Sequence, residues 1–244
     1  MKVNLRLKKD YLNYIFLILI ILVSFFSDKV FLKDNLSLPA WDQGYHLTNL
    51  FKTYNIFGEF NLFNTNWWQD LWKITDTYRG PFTYILSALF LKIFGANYQN
   101  SYLSNHIFSI ITIISIYNLG IILKNKSTGL WASFLFTVNP FIFDQRIDYL
   151  IDLSQLSIIT FNFYLLTRYF LINKNRLLLS ILSGFSIGLL FLTKPTDKAS
   201  FSIKNSEKFN ENKDLISTID ILSLFSDLIN FKFKAIIQKI FINI

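Results

Sequence analysis

Residues 102–126 read YLSNHIFSIITIISIYNLGIILKNK, and this stretch decides what kind of fold the chain can adopt. No Asp, Glu, Lys or Arg occurs from Tyr102 to Leu123, and then Lys124 and Lys126 arrive together. A helix crosses a hydrocarbon core of about 30 Å in about 20 residues, so the run is long enough to span a bilayer. The lysines that close it mark the water's edge. Composition points the same way across the chain. Of 244 residues, 52% are hydrophobic, 18% aromatic and only 16% charged, where a soluble domain carries about 25% charged residues. Cysteine is absent, which removes disulfides and thiolate metal sites. A net charge of +8 would suggest nucleic acid in a soluble protein. Beside apolar spans the same basic residues are topology signals facing anionic lipid, so membrane lipids are the expected partner and nucleic acid is not.

Towards the N-terminus, Lys2, Arg6, Lys8 and Lys9 precede an apolar run from Tyr11 to Phe26. A secretory signal peptide begins the same way. The run ends in Ser24-Phe25-Phe26-Ser27-Asp28 with no small-x-small cleavage site, which favours an uncleaved first helix. Towards the C-terminus, Gly129–Phe143, about Leu153–Ile172, and Leu177–Thr193 read as further spans, the first and last of them short. Pro81–Gly95 is apolar but would be only about 22 Å long as a helix. Short loops rich in Lys and Arg stay cytoplasmic, so the N-terminal cluster, the Lys124/Lys126 loop and the Lys174/Arg176 loop share that side. An even number of crossings must then separate Lys9 from Lys124, which makes Pro81–Gly95 interfacial or re-entrant on the outer side. The expectation is an all-α, polytopic membrane helical bundle with a cytoplasmic N-terminus. It has about five transmembrane helices plus an interfacial helix in a long first outer loop. The module spans residues 1–196; residues 197–244 read as a polar loop and an amphipathic tail.

The first outer loop runs from about Ser27 to Asn100, carries Trp41, Trp67, Trp68 and Trp72, and shows no obvious helical periodicity. Tryptophan belongs at membrane interfaces, and a loop of about 70 residues this rich in aromatics is functional rather than disordered. Within it stands Trp41-Asp42-Gln43-Gly44-Tyr45-His46. In a helix Asp42 and His46 share a face. The carboxylate can act as a general base or join His46 on a divalent metal, a weak signal without a third ligand. A plain helix cap beside an interfacial Trp explains the same string. Arg79 can clamp a phosphate through two parallel hydrogen bonds, or simply snorkel to headgroups. A second acidic string reads Asp144-Gln145-Arg146-Ile147-Asp148-Tyr149-Leu150-Ile151-Asp152. Charge beside hydrocarbon is expensive, which makes it a site candidate. In a helix Asp148 and Asp152 share a face, with Arg146 available to neutralise one of them. A solvated turn between two spans would look alike.

In order and spacing these strings resemble the polytopic GT-C glycosyltransferases, closest to the family 39 group of protein mannosyltransferases and lipid A aminoarabinose transferases. Four strings carry the resemblance, which runs from Met1 to about Thr196. They are Trp41 to His46, where the family has Asp-Glu; Arg79-Gly80-Pro81-Phe82-Thr83-Tyr84 running into Leu91-Lys92-Ile93-Phe94-Gly95; Asn139-Pro140 to Asp152; and Gly188-Leu189-Leu190-Phe191-Leu192-Thr193-Lys194-Pro195-Thr196.

The resemblance implies transfer of a sugar from a polyprenyl-phosphate-linked donor to a glycan, lipid or protein acceptor, on the non-cytoplasmic side of the cell's inner (plasma) membrane. It makes Asp42 the base that activates the acceptor, and Asp152 with Asp148 the other carboxylates of the pocket. Arg79 faces the donor phosphate, and Tyr45 and His46 line the substrate. Gln43 departs from the family's second acid and removes one charge or metal ligand. No family pattern continues past Thr196, from which a C-terminally truncated and inactive chain is one expectation. A small transporter or a non-catalytic assembly subunit are the alternatives; the chain shows no internal repeat of the kind transporters carry.

Overall fold

The computed structural model describes residues 2–35, 39–59, 63–75, 79–172 and 175–193, with the backbone alone for 2–10 and 59. All belong to the unit Met1–Thr196. The polar loop and amphipathic tail expected for 197–244 lie outside the described residues.

Regular structure among the described residues is helical throughout. In chain order the helices are α1 (Lys2–Asp34), α2 (Trp41–Ile56, running into a 3-10 turn, Phe57–Glu59), α3 (Thr65–Lys73), α4 (Phe82–Phe94), α5 (Tyr98–Leu103), α6 (His106–Leu123), α7 (Lys126–Val138), α8 (Pro140–Ile147), α9 (Asp152–Ile172) and α10 (Arg176–Thr193). Tyr11–Asp34, Tyr98–Leu123 and Arg176–Thr193 are each long and apolar enough to cross a membrane, and α8 with α9, bent by 119°, makes a fourth if the pair is one span. Large apolar side chains such as Ile15, Val23, Leu177 and Phe185 stand exposed on their outer faces, which only lipid makes favourable. This is the polytopic helical membrane bundle that composition and span lengths lead one to expect.

The boundaries differ from the sequence reading in three places, each with a local cause. The first helix does not stop at Phe26. Nothing between Ser27 and Asp34 breaks a helix, so α1 continues to Asp34 and carries Asp28 into the protein interior, where it is fully buried. The stretch Gly129–Phe143 is not one span. Asn139 caps α8 by accepting a hydrogen bond from Phe141 N, and Pro140 takes the first helical position, where its missing N–H costs nothing. The stretch read as a first outer loop is itself largely helical. The buried side of α2 is His46, Leu47, Asn49, Leu50 and Thr53. These fall at helical spacing, but three of the five are polar, which conceals the periodicity. The short apolar helix at 81–95 is α4, ended by Gly95 at φ 93.

At the centre, α6 lies between α7 and α9; α10 packs on α9, α1 on α7, and α2 on α4. Without a hydrophobic drive between helices in lipid, close backbone approach and hydrogen bonds hold such contacts. Ser133 Oγ donates to Ile113 O at 3.1 Å between α7 and α6, and Ser183 Oγ donates to Asn162 Oδ1 at 2.6 Å between α10 and α9. Gly120 on α6 and Gly129 on α7 touch backbone to backbone, so that a Cβ on either would overlap the facing chain. Gly120→Val should therefore cost about 1–3 kcal/mol through overpacking. Thermal unfolding in detergent would read this as a lowered midpoint, and an unchanged midpoint would mean that the helices are not this close.

The bundle has two chemically distinct ends. One gathers the C-terminal part of α1, all of α2, the start of α4, the α5–α6 corner, the α8–α9 link and the end of α10. Gln99 Nε2 donating to Lys29 O, Asn105 Nδ2 donating to Asp148 O, the Thr83–Ser154 hydroxyl pair and Gly80 N donating to Thr193 O tie it together. The other end carries the turns at Lys124–Lys126 and before Arg176, and Lys126 stands 6.0 Å above the Tyr14 ring of α1. Acidic residues 28, 42, 144, 148 and 152 all belong to the first end.

Candidate active site

The first turn of α2 presents Asp42 and Gln43. Ala40, not Asp42, is the N-cap residue; the Gln43 side chain reaches back and accepts a hydrogen bond from Ala40 N at 3.4 Å. Asp42 is thereby left to point outward, 65% exposed, with Oδ1 3.6 Å from Arg79 Nη2. Arg79 is held from two sides. Its guanidinium lies 4.7 Å from the centre of the Tyr45 ring. The next residue, Gly80, hydrogen-bonds the end of α10, where a Cβ would collide with the Leu192 carbonyl. An ion pair this exposed stabilises by at most about 1 kcal/mol, too little to explain why two elements so far apart in sequence bring these charges together.

The second acidic string meets the first through Gln43, whose side chain lies against the Asp148 carboxylate and favours its charged form. Asp148 caps the end of α8 in extended conformation, and Asp152 opens α9, exposed, after the sharp bend. The two carboxylates thus belong to different helices, and the shared face that their spacing would give within one helix does not exist. Burial raises the Asp148 carboxyl above the ordinary aspartate value; the Gln43 side chain beside it pulls against this, and the neighbouring Asp144 charge adds to it. A Gln at this position lets α2 approach Asp148 without opposing like charges, which gives the departure from the family's acid pair a local reason.

His46 turns away from Asp42. It is buried in the core, with Nδ1 2.6 Å from the Tyr84 hydroxyl of α4. Asp42 and His46 therefore do not form a ligand pair, and among the described residues no three His, Asp or Glu side chains gather closely enough to hold a metal. Tyr45 stays half-buried beneath Arg79.

Arg146 does not neutralise Asp148 or Asp152. It is buried and forms a fork with Asp28 of α1: Nε donates to Oδ2 at 2.5 Å and Nη2 to Oδ1 at 3.2 Å. Its Nη1 donates to Thr137 O at 2.9 Å. His106 Nε2, at the start of α6, stands 3.0 Å from Asp28 Oδ2. Sequence reasoning passed over Asp28 and His106. The available signal was an ionisable residue just past one apolar stretch and another inside a second, each of which in a membrane has to face a partner.

Fold and site together define a polytopic membrane protein whose polar, charged centre lies at one end of a helical bundle. A family model described as dolichyl-phosphate-mannose-protein mannosyltransferase matches residues 78–199, half of the chain. The chain belongs to this family, membrane glycosyltransferases of the GT-C type. The match takes in Arg79, Asp148 and Asp152 and begins after α2, so Asp42 lies ahead of it. No curated protein and no solved structure matches the chain.

Proposed function

We propose that the chain transfers a sugar from a polyprenyl-phosphate-linked donor to an acceptor hydroxyl on the non-cytoplasmic side of the membrane. The observation that carries this reading is the meeting of Asp42 with Arg79, close to where Gln43 lies against Asp148, at the acidic end of the bundle. Asp42 accepts the acceptor's proton, the freed oxygen attacks the anomeric carbon, and the bond to the phosphate oxygen breaks. Arg79 takes the negative charge that develops on the leaving phosphate. Because Arg79 also holds Asp42, a donor phosphate arriving at the guanidinium competes with that carboxylate and releases it for proton transfer. Asp148, raised by burial, and exposed Asp152 complete the acidic wall; Tyr45 holds Arg79 from below. His46 contributes indirectly, by fixing α2 on α4.

Charge distribution supports the sidedness. Lys124, Lys126 and Arg176 lie at the opposite end, where short basic turns remain cytoplasmic. With no native cysteine, the chain suits accessibility mapping. A cysteine introduced at Asn97 should react with an impermeant maleimide from outside intact cells. Labelling only after the cytoplasmic face is opened would reverse the orientation. The reaction is tested by reconstituting the chain in liposomes with a radiolabelled polyprenyl-phosphate sugar. Label should leave the organic phase with acceptor present, and Arg79→Ala should raise the donor KM about tenfold or more. Label retained on the carrier across a panel of acceptors would remove the transferase reading.

A further inference from the structure

Asp28, His106 and Arg146 have no part in the chemistry above, yet they form a deeply buried cluster of charged and titratable side chains. As residues they are 0%, 2% and 3% exposed. They come from α1, α6 and α8 and converge on the Asp28 carboxylate, which Arg146 hydrogen-bonds and His106 Nε2 approaches to 3.0 Å. A buried ion pair is weak evidence for stability, because apolar side chains of similar volume often serve as well. What a planar guanidinium on a carboxylate does provide is direction: two parallel hydrogen bonds fix the angle as well as the distance.

The contacts show what is being directed. Arg146 joins three separate elements, binding Asp28 on α1 and the Thr137 carbonyl at the end of α7 from its own place on α8. Close by, Asn105 at the α5–α6 corner donates through Nδ2 to the carbonyls of Gln145, Arg146 and Asp148, the last at 2.7 Å. His106, next to Asn105, closes the ring by contacting the same Asp28 oxygen that Arg146 Nε uses, with its imidazole edge against Phe25 at 5.0 Å. The backbone from Arg146 to Asp148 is thus held at both ends, and Asp148 is the residue that Gln43 meets.

We infer that the Asp28–Arg146–His106 cluster is a positioning centre: it sets the α8–α9 link so that Asp148 meets Gln43 beside Asp42 and Arg79. Its catalytic meaning rests on the proposed function; its geometric meaning does not.

The test separates the two. In the cysteine-free chain, Gln43→Cys with Asp148→Cys should be joined rapidly by a short bifunctional thiol reagent in membranes. Asn162→Cys with Ser183→Cys, across α9 and α10, serves as the control pair. Arg146→Lys keeps the charge and loses the fork. Asp28→Leu with Arg146→Met removes both charges of the fork together, leaving the His106 imidazole as the remaining polar group of the cluster, and should fold. In each background the 43–148 reaction should slow by about tenfold while the control pair is unchanged, as expected when a directional contact is lost. Without the added cysteines, the same two backgrounds should lose kcat with donor KM held within about threefold, since the donor's own contacts remain. An unaltered 43–148 reaction in folded Asp28→Leu/Arg146→Met overturns the inference. Equal slowing of both pairs also overturns it, as it reveals a general folding role. Slowing of the 43–148 pair alone, in a chain that never transfers sugar, leaves the positioning centre standing and removes the transferase reading.

Discussion

Asp42→Asn should reduce sugar transfer by about 100-fold or more, the usual size of a general base's contribution, while leaving membrane insertion and the helical spectrum as they were. The substitution keeps shape and removes only the charge. Because Asp42 is largely exposed and is not the N-cap of α2, the fold does not depend on it. Its pairing with Arg79 is worth about 1 kcal/mol or less, so a fall in rate cannot be blamed on unfolding. Donor binding should tighten slightly or stay level, since Arg79 no longer has a competing carboxylate. The check is kcat and donor KM in liposomes, with protein quantified by in-gel fluorescence. Transfer at the parental rate would take Asp42 out of the mechanism and shift attention to Asp148 and Asp152.

The largest loss of stability should follow Asp28→Leu alone. The change strands the buried Arg146 guanidinium with the Thr137 carbonyl as its one remaining hydrogen-bond acceptor among the described residues. Removing one partner of a buried pair typically costs about 3–5 kcal/mol, whereas replacing both with apolar residues is often neutral. The single variant should therefore be poorly recovered in detergent, and Asp28→Leu with Arg146→Met should return to near parental yield. Comparing the unfolding midpoints of parent, single and double variants decides the matter. A single variant as stable as the parent would mean that water reaches Arg146.

How far the residues alone disclosed this arrangement differs from element to element. Apolar runs such as Tyr102–Leu123 announce themselves, because a side chain's affinity for lipid is its own property and needs no partner. The strings around Asp42, Arg79 and Asp148 were visible for the converse reason: charge next to apolar runs is conspicuous. Helix ends were less legible. Asn139-Pro140 is a helix start, yet inside an apolar run it passed for the interior of one span. Helix α2 was obscured because its inner face is built of His46, Asn49 and Thr53 as much as of Leu47 and Leu50.

Pairing was the least legible feature. Arg146 has Asp144 and Asp148 two residues away on either side, and local spacing offers both as partners before it offers Asp28, 118 positions earlier. Spacing also put Asp42 with His46, but a helix places neighbours on a face without saying which part of that face is buried. Packing on α4 drew His46 inward and left Asp42 outside.

By itself, then, the amino-acid order determined that this chain is a membrane protein, which stretches are apolar enough to cross, and which charged residues flank them, since each of these follows from the solvation of single side chains and their near neighbours. The choice of partner for each charge was made only in the folded bundle. In a medium without water a carboxylate takes whichever cation the helices bring within reach, and that depends on how all of them pack.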